Sequence, residues 1–388
     1  MTSILPEGIQ ERLLANLRSR TKSTSEQIQR RQVSDYTNTA RYEAEVSSLF
    51  ERLPIVVAHS SQLAKPGDFV RYDRLGVPLI ISRTEKGDVA AFRNICSHRG
   101  ATVENHSSGN RHNFLCPYHH WTFGLDGTLK HVPDETSFDS EEFRQLGLRP
   151  VAVAEKYGLI FVRLSDGPAI DVDAFLGDMA PELESLKLDQ HQFFADRDTH
   201  LKCNWKVMME GSLEVYHFKF LHAKSAASQF LPMTAIFDNY FPHQRHAMPR
   251  RDFPERMEQG NDPRRAVLPN YYIFPNTVLT LPHDHMTLTQ VYPAGIGDCV
   301  FYNSLLTLDK PDEKKNRAYW QRALDYTQAV NQEDFEAVES IQRSYAYMDG
   351  GESVIHGKFE LGITRFHDAC DKIISGYEGS FGRRELDT

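Results

Sequence analysis

Cys96-Ser97-His98-Arg99-Gly100 and Cys116-Pro117-Tyr118-His119-His120-Trp121 are the two segments on which the reading of this sequence turns. Each offers one thiolate and one imidazole, in the pattern C-x-H, seventeen intervening residues, then C-x2-H. Two thiolates suit one iron of a [2Fe–2S] cluster and two neutral imidazoles suit the other, with histidine ligation raising the reduction potential. A structural zinc site also accepts two Cys and two His. The single-residue gap in C-x-H is tighter than the zinc spacing of about two to four residues. The Arg-Gly after one segment and the aromatics after the other are also unusual beside zinc. The cluster is therefore the expected occupant, with Cys96, His98, Cys116 and His119 as its ligands. His120 competes with His119, and the two-residue gap favours His119. Tyr118 and Trp121 are expected to pack over the site.

Around this motif, residues 48–168 are built of short β-like runs, such as Val77-Pro78-Leu79-Ile80-Ile81, Val89-Ala90-Ala91-Phe92 and Leu159-Ile160-Phe161-Val162. Asp126-Gly127 marks a tight turn between two of them. That predicts an all-β domain. In residues 7–33, Ile9, Leu13, Leu14 and Leu17 recur at helical spacing, which predicts a helical N-terminal arm within 1–47, docked or mobile. Residues 169–388 read as a mixed domain, with helices over 206–217 and 313–345 and strands over 277–281 and 300–306. The expected fold class is α+β: an all-β domain followed by an antiparallel sheet flanked by helices. Residues 242–265, rich in Pro, Arg and His, are expected to form an irregular, mobile loop with solvated charges.

A second constellation lies about a hundred residues downstream, in Glu210-Gly211-Ser212-Leu213-Glu214-Val215-Tyr216-His217-Phe218-Lys219-Phe220-Leu221-His222. Two histidines and one carboxylate on one face of an iron, with open positions opposite, make the non-heme facial triad. On an ideal helix His217 and His222 would point about 140° apart, so a π-bulge or a helix end must fall between them. H-x4-H is weak by itself; its weight comes from the first motif in the same chain. Glu214, three residues before His217, is placed to hold that ring.

For the third ligand, Glu333 and Asp334 compete. Trp320, Leu324, Thr327, Asn331, Asp334, Val338 and Ile341 fall at alternating four- and three-residue steps, one continuous inward face. Asp334 lies on it and Glu333 lies one position off, so Asp334 is chosen and Glu333 is expected to point away. A buried carboxylate there needs a partner, and a metal supplies one. His283-Asp284-His285 is a rival cluster, with its histidines on one strand face, but it has no third ligand nearby.

The net charge of −9 over 388 residues argues against a nucleic-acid partner. No run approaches 18 apolar residues, and no secretion signal is apparent, so neither a membrane span nor export is expected. The five cysteines are odd in number and scattered, unlike a disulfide framework. Cys203, Cys299 and Cys370 are expected to be reduced, and the chain cytoplasmic.

With both constellations present, residues 50–345 resemble the catalytic α subunit of Rieske non-heme iron oxygenases, the aromatic ring-hydroxylating dioxygenase family. The match continues through Trp121-Thr122-Phe123-Gly124-Leu125-Asp126-Gly127-Thr128-Leu129, with His120 standing where the family commonly has glycine. The family's ligand aspartate also falls in an acidic helix such as the one carrying Asp334. The resemblance implies a terminal oxygenase with a [2Fe–2S] cluster, a mononuclear Fe(II), and a separate flavin- or ferredoxin-type reductase fed by NAD(P)H. The chain's Gly295-Ile296-Gly297 lacks the third glycine of a dinucleotide fingerprint. It further implies a homotrimer without a second subunit type, in which Glu214 bridges His217 to His119 of a neighbouring chain. That position is usually Asp; Glu is shared with members resembling carnitine and other quaternary-ammonium oxygenases. The first expectation is hydroxylation of a small aromatic compound. The second is monooxygenation or demethylation of a quaternary amine held by aromatic rings. Met208, Met209, Phe218, Phe230, Tyr271, Tyr272 and Phe274 are candidate pocket residues, and Arg245, Arg250 and Arg251 could attract a substrate carboxylate.

Overall fold

The computed structural model describes residues 8–138, 146–308, 315–377 and 379–384. It divides into two compact units, Phe50–Val172 and the remainder of the chain.

The first unit is all β. Leu79–Arg83 pairs with Val89–Arg93 and Asp68–Tyr72, and Ser108–Asn110 closes a four-stranded antiparallel sheet. Ile55–His59, Leu159–Arg163 and Ala152–Lys156 form a three-stranded sheet. Phe114–Leu115, Thr122–Phe123 and Leu129–His131 form another. Gly127 turns the chain between its last two strands at φ 78°, the left-handed region that favours glycine, and a Cβ there would meet the Phe92 ring at 3.0 Å. The core gathers Phe69, Ile80, Phe92, Phe114, Trp121 and Phe123 around buried Cys96 and Cys116, so the two motif segments are anchored by the packing itself.

The second unit is built on a seven-stranded antiparallel sheet. Its order runs Gln192–Leu201, Asp298–Thr307, His285–Gly295, Thr277–Thr280, Val267–Ile273, His243–Pro249, Ile236–Tyr240. Every neighbouring pair is antiparallel. Residues 242–265 therefore depart from the mobile loop expected of them. His243–Pro249 is a strand with every residue buried, followed by the helix Phe253–Glu258. Arg245 is fully buried, with its guanidinium on Asp238 and Glu182. The expected solvation holds for Arg251 and Arg265, which are exposed; Arg245 departs from it because Asp238 on the neighbouring strand and Glu182 from a distant helix neutralise it.

The N-terminal segment belongs to this unit. The helix is Ile9–Ser19, shorter than expected, and it buries Ile9 and Leu13 against Ile236, Ala247 and Phe253. Gln29–Gln32, expected to be helical, is a strand paired with Ser353–His356.

The long helix is Arg317–Tyr345, begun by the Asn316 side chain accepting from the Tyr319 amide; the expected start at residue 313 lies outside the described residues. Trp320, Leu324 and Val338 are buried on its inner face, but Ile341 is 42% exposed. A 4-3-4-3 stripe has a period of 3.5, and against 3.6 residues per turn it drifts about 20° per heptad, about 60° by Ile341. No helix among the described residues is long and apolar enough to cross a membrane.

Candidate metal centres

The two motif segments of the β unit fold as matched turns. Cys96 N donates to Ala101 O and Cys116 N to Trp121 O, while Gly100 N donates back to Cys96 O and His120 N to Cys116 O. Gly100 and His120 both take positive φ, 77° and 58°. Glycine suits such a position, which gives the physical reason that glycine is common where His120 stands; histidine is among the side chains that tolerate it.

The turns bring the four expected residues together. The His98 and His119 rings lie 4.7 Å apart. Trp121 stacks on His98 at 4.6 Å with a 6° interplanar angle, so it shields the site. Tyr118, expected to do the same, lies over His119 but is 55% exposed. Burial pushes the Cys96 thiol up, the His98 amide draws it down, and the adjacent Cys116 thiol adds to the rise. The donor set fits a [2Fe–2S] group: two adjacent buried thiols, two neighbouring imidazoles, and a buried His119 Nδ1 that no group among the described residues satisfies.

In the second unit, the helix from Asn204 ends early. Trp205–Gly211 is helical, then Gly211-Ser212 breaks it, and only Phe218–Leu221 returns to a single turn. His217 caps the start of that turn and His222 its end. This break replaces the continuous 206–217 helix and supplies the helix end that the H-x4-H spacing requires. The rings come within 5.2 Å, at 76°. Asp334 Oδ1 lies 3.2 Å from His222 Nε2 and 3.7 Å from His217 Nε2. His217, His222 and Asp334 thus present ligand atoms all within 4.8 Å of one another.

Both Nδ1 atoms are tied down. His217 Nδ1 meets Glu214 Oε1, and that carboxylate also accepts from the Tyr216 and His217 amides. Glu214 therefore reaches His217 across a turn and not along a helical face. His222 Nδ1 meets Glu333 Oε2 at 2.7 Å, and Ser225 Oγ donates to the same oxygen at 2.9 Å. Glu333 was expected to point away; its backbone does lie off the inner face, but its longer side chain reaches around to His222. Glu333 and Ser225 are the residues that the spacing argument missed. Burial alone would lower His222, but Asp334 and Glu333 raise it above the ordinary histidine value. Two imidazoles with Nδ1 held and Nε2 facing one carboxylate fit a single divalent metal.

A cavity of about 210 Å³ opens on these three residues, lined also by Met208, Phe218, His246, Phe301 and Asn331. Of the aromatic candidates only Phe218 lines it. Tyr271 donates to Glu182 and Tyr272 to Pro275 O, and Phe274 packs on Phe366, all in the core. None of the three arginines lines it either: Arg250 bonds Gln229 and Arg251 bonds Ser228 O. His285, from the rival cluster, does line it. A further His/carboxylate group, Glu210 with His356 and His367, is buried, with the Tyr36 hydroxyl donating to Glu210 at 2.7 Å. Cys203, Cys299 and Cys370 are buried free thiols.

The Rieske [2Fe–2S] domain family matches residues 54–149, and the family described as "Ring hydroxylating alpha subunit (catalytic domain)" matches residues 188–376. The chain is 28% identical to the carnitine monooxygenase oxygenase subunit of Escherichia coli K12, over 87% of this chain and 92% of that protein. It is 28% identical to the chloroplastic choline monooxygenase of Beta vulgaris, over 86% of this chain and 74% of that one. Among solved structures, a quaternary ammonium Rieske monooxygenase in complex with L-carnitine superposes with a TM-score of 0.76 at 23% identity, covering 95% of this chain and 99% of the other. Naphthalene 1,2-dioxygenase from Rhodococcus sp. superposes at 0.72 with 18% identity, covering 96% and 98%.

Proposed function

Because this chain belongs to the Rieske non-heme iron oxygenases, as a catalytic α subunit with a [2Fe–2S] cluster and a mononuclear iron, we propose that it oxygenates a small quaternary ammonium compound. The observation that carries this reading is similarity over most of the chain to carnitine and choline monooxygenases. It supports the second of the two sequence expectations over an aromatic substrate; likeness to naphthalene dioxygenase at 18% identity speaks for the fold alone. The cavity agrees in size: about 210 Å³ falls below the ~300 Å³ at which sites for drug-sized ligands begin.

In this reading Cys96 and Cys116 hold one iron of the cluster and His98 and His119 the other, while His217, His222 and Asp334 hold the mononuclear iron. When bound, the cluster supplies electrons from a separate reductase and the mononuclear iron supplies dioxygen activation. Glu214 and Glu333 fix the two histidine rings with Nε2 forward, so the ligand geometry exists before any metal arrives. Phe218 and Met208 present apolar surface to the N-methyl groups and keep bulk water away. Glu214 also bridges to His119 of a neighbouring subunit. Head-to-tail contacts of that kind close into a ring, here a homotrimer.

The test is oxygen consumption by the holoenzyme with a surrogate reductase, across betaines, choline, carnitine-like compounds and aromatic acids, with products identified by mass. Coupled oxygen uptake with a quaternary amine is expected. Turnover confined to the aromatic acids would refute the proposal.

A further inference from the structure

Strand register gives the cavity a second wall unlike the one that carries the triad. His246 pairs with Asn270, Asn270 with Thr280, and Thr280 with Thr287, one polar row across four strands of the sheet. All four line the cavity, as does His285, two residues before Thr287 and so on the same face. Most of this wall satisfies itself: Thr280 Oγ1 donates to Asn270 Oδ1 at 2.7 Å, and Asn303 Nδ2 to Thr289 Oγ1 at 2.8 Å. Three groups remain open among the described residues; one is the His246 ring, which makes no hydrogen bond and which burial holds in its neutral form, a poor partner for an anion. Asn303 is buried, and its Oδ1 has no partner among the described residues. His285 Nδ1 lies 2.6 Å from Asp284 Oδ1, and among the described residues its Nε2 has no hydrogen-bond partner. Asp284 is itself fixed by the Tyr319 hydroxyl at 2.7 Å and by Lys315, an amount of support a stray surface histidine would not have.

The charges are divided between the walls. The carboxylates that line the cavity, Glu214 and Asp334, stand with the triad, and the sheet wall has none. With Fe(II) bound, these two carboxylates offset its charge, so the triad side tolerates a cationic head; the carbon to be oxidised must lie beside the iron, and the tail then faces the sheet. Building on the quaternary-ammonium reading, we propose that His285, oriented by Asp284, binds the carboxylate of a zwitterionic, betaine-type substrate. The enzyme then discriminates against choline-like alcohols that lack an acid. In that complex Nδ1–H donates to Asp284 and Nε2–H to the substrate, so the imidazolium sits between two carboxylates. A buried hydrogen-bonding wall rejects a ligand that leaves it unpaired.

The experiment is calorimetric binding to the holoenzyme, with three probes: trimethylammonio carboxylates, their methyl esters, and tert-butyl carboxylates in which carbon replaces nitrogen. Wild type is expected to prefer the acid over its ester by about 10- to 100-fold, the range of one charge-assisted hydrogen bond. His285→Leu and the more conservative His285→Gln should erase most of that ratio while ester affinity changes less than about twofold. An unaltered cluster spectrum and iron content exclude misfolding. Equal affinity for acid and ester in wild type overturns the anchor, as does a wild-type ratio surviving in both variants. Should tert-butyl carboxylates bind as tightly as the trimethylammonio ones with the same dependence on His285, the anchor stands and the quaternary-ammonium reading falls.

Discussion

Replacing Glu333 by alanine should loosen the mononuclear iron without touching the cluster. Glu333 Oε2 holds His222 Nδ1 at 2.7 Å and is itself held by Ser225 at 2.9 Å. Removing an outer partner of a ligand histidine costs about 10- to 100-fold in metal affinity or activity. The Glu333 side chain is 31% exposed, so water can partly take its place, and the low end applies: about tenfold, or ~1.4 kcal/mol. Glu333→Gln keeps an acceptor but not the charge and should fall between. Asp334→Ala, by contrast, should abolish iron retention and turnover outright, because it removes a donor from the group itself. The assay is chelator competition for Fe(II) on purified protein, with the visible cluster spectrum as the internal control. Wild-type iron affinity in Glu333→Ala would refute the reasoning, and the contact with His222 would then be incidental.

Three further outcomes are expected. Co-expressed Cys116→Ser and His217→Ala chains, each inactive alone, should regain partial activity in mixed oligomers, and Glu214→Gln should keep both metals but slow transfer between them; inactive mixed oligomers of verified composition would exclude transfer between subunits. Arg245→Ala should destabilise the catalytic unit by about 3 kcal/mol in chemical unfolding, the low end for a broken buried pair, since it removes the guanidinium shared by Asp238 and Glu182 but leaves Asp238 on Arg12 at 2.6 Å; a shift under about 1 kcal/mol would mean that the remaining partners suffice. His243 is buried, its Nε2 facing Phe175 O and its Nδ1 accepting from the Phe274 amide, and burial lowers its pKa to about 4. The unfolded value is about 6.5, so its neutral form costs nothing above that pH. Stability should fall as pH drops from about 6.5 to about 4, at up to ~1.4 kcal/mol per unit. His243→Gln should make that part of the stability–pH curve shallower without flattening it, because buried His246, also lowered to about 4, keeps its own contribution.

What the chain determines by itself is whatever depends on neighbours in sequence. The thiol and imidazole spacings of Cys96, His98, Cys116 and His119 are local, and so is the turn at Asp126-Gly127. The phase of one helix was enough to separate Asp334 from Glu333 as the residue facing inward. Even there the local rule had limits: a 3.5-residue stripe carried Ile341 out of the core, and an off-face backbone position did not stop the long Glu333 side chain from reaching His222. Tertiary structure decided the rest. Arg245 reads as solvated until Asp238 and Glu182 are folded onto it, and His285 reads as a strand entrance until sheet register sets it in the same cavity as His246 and Asn270. Those meetings depend on which strands pair, a choice made by the burial of the whole sheet. A window of a few residues does not show which strand or helix will meet it, whether the partner is 7 positions away, as Asp238 is from Arg245, or 63, as Glu182 is.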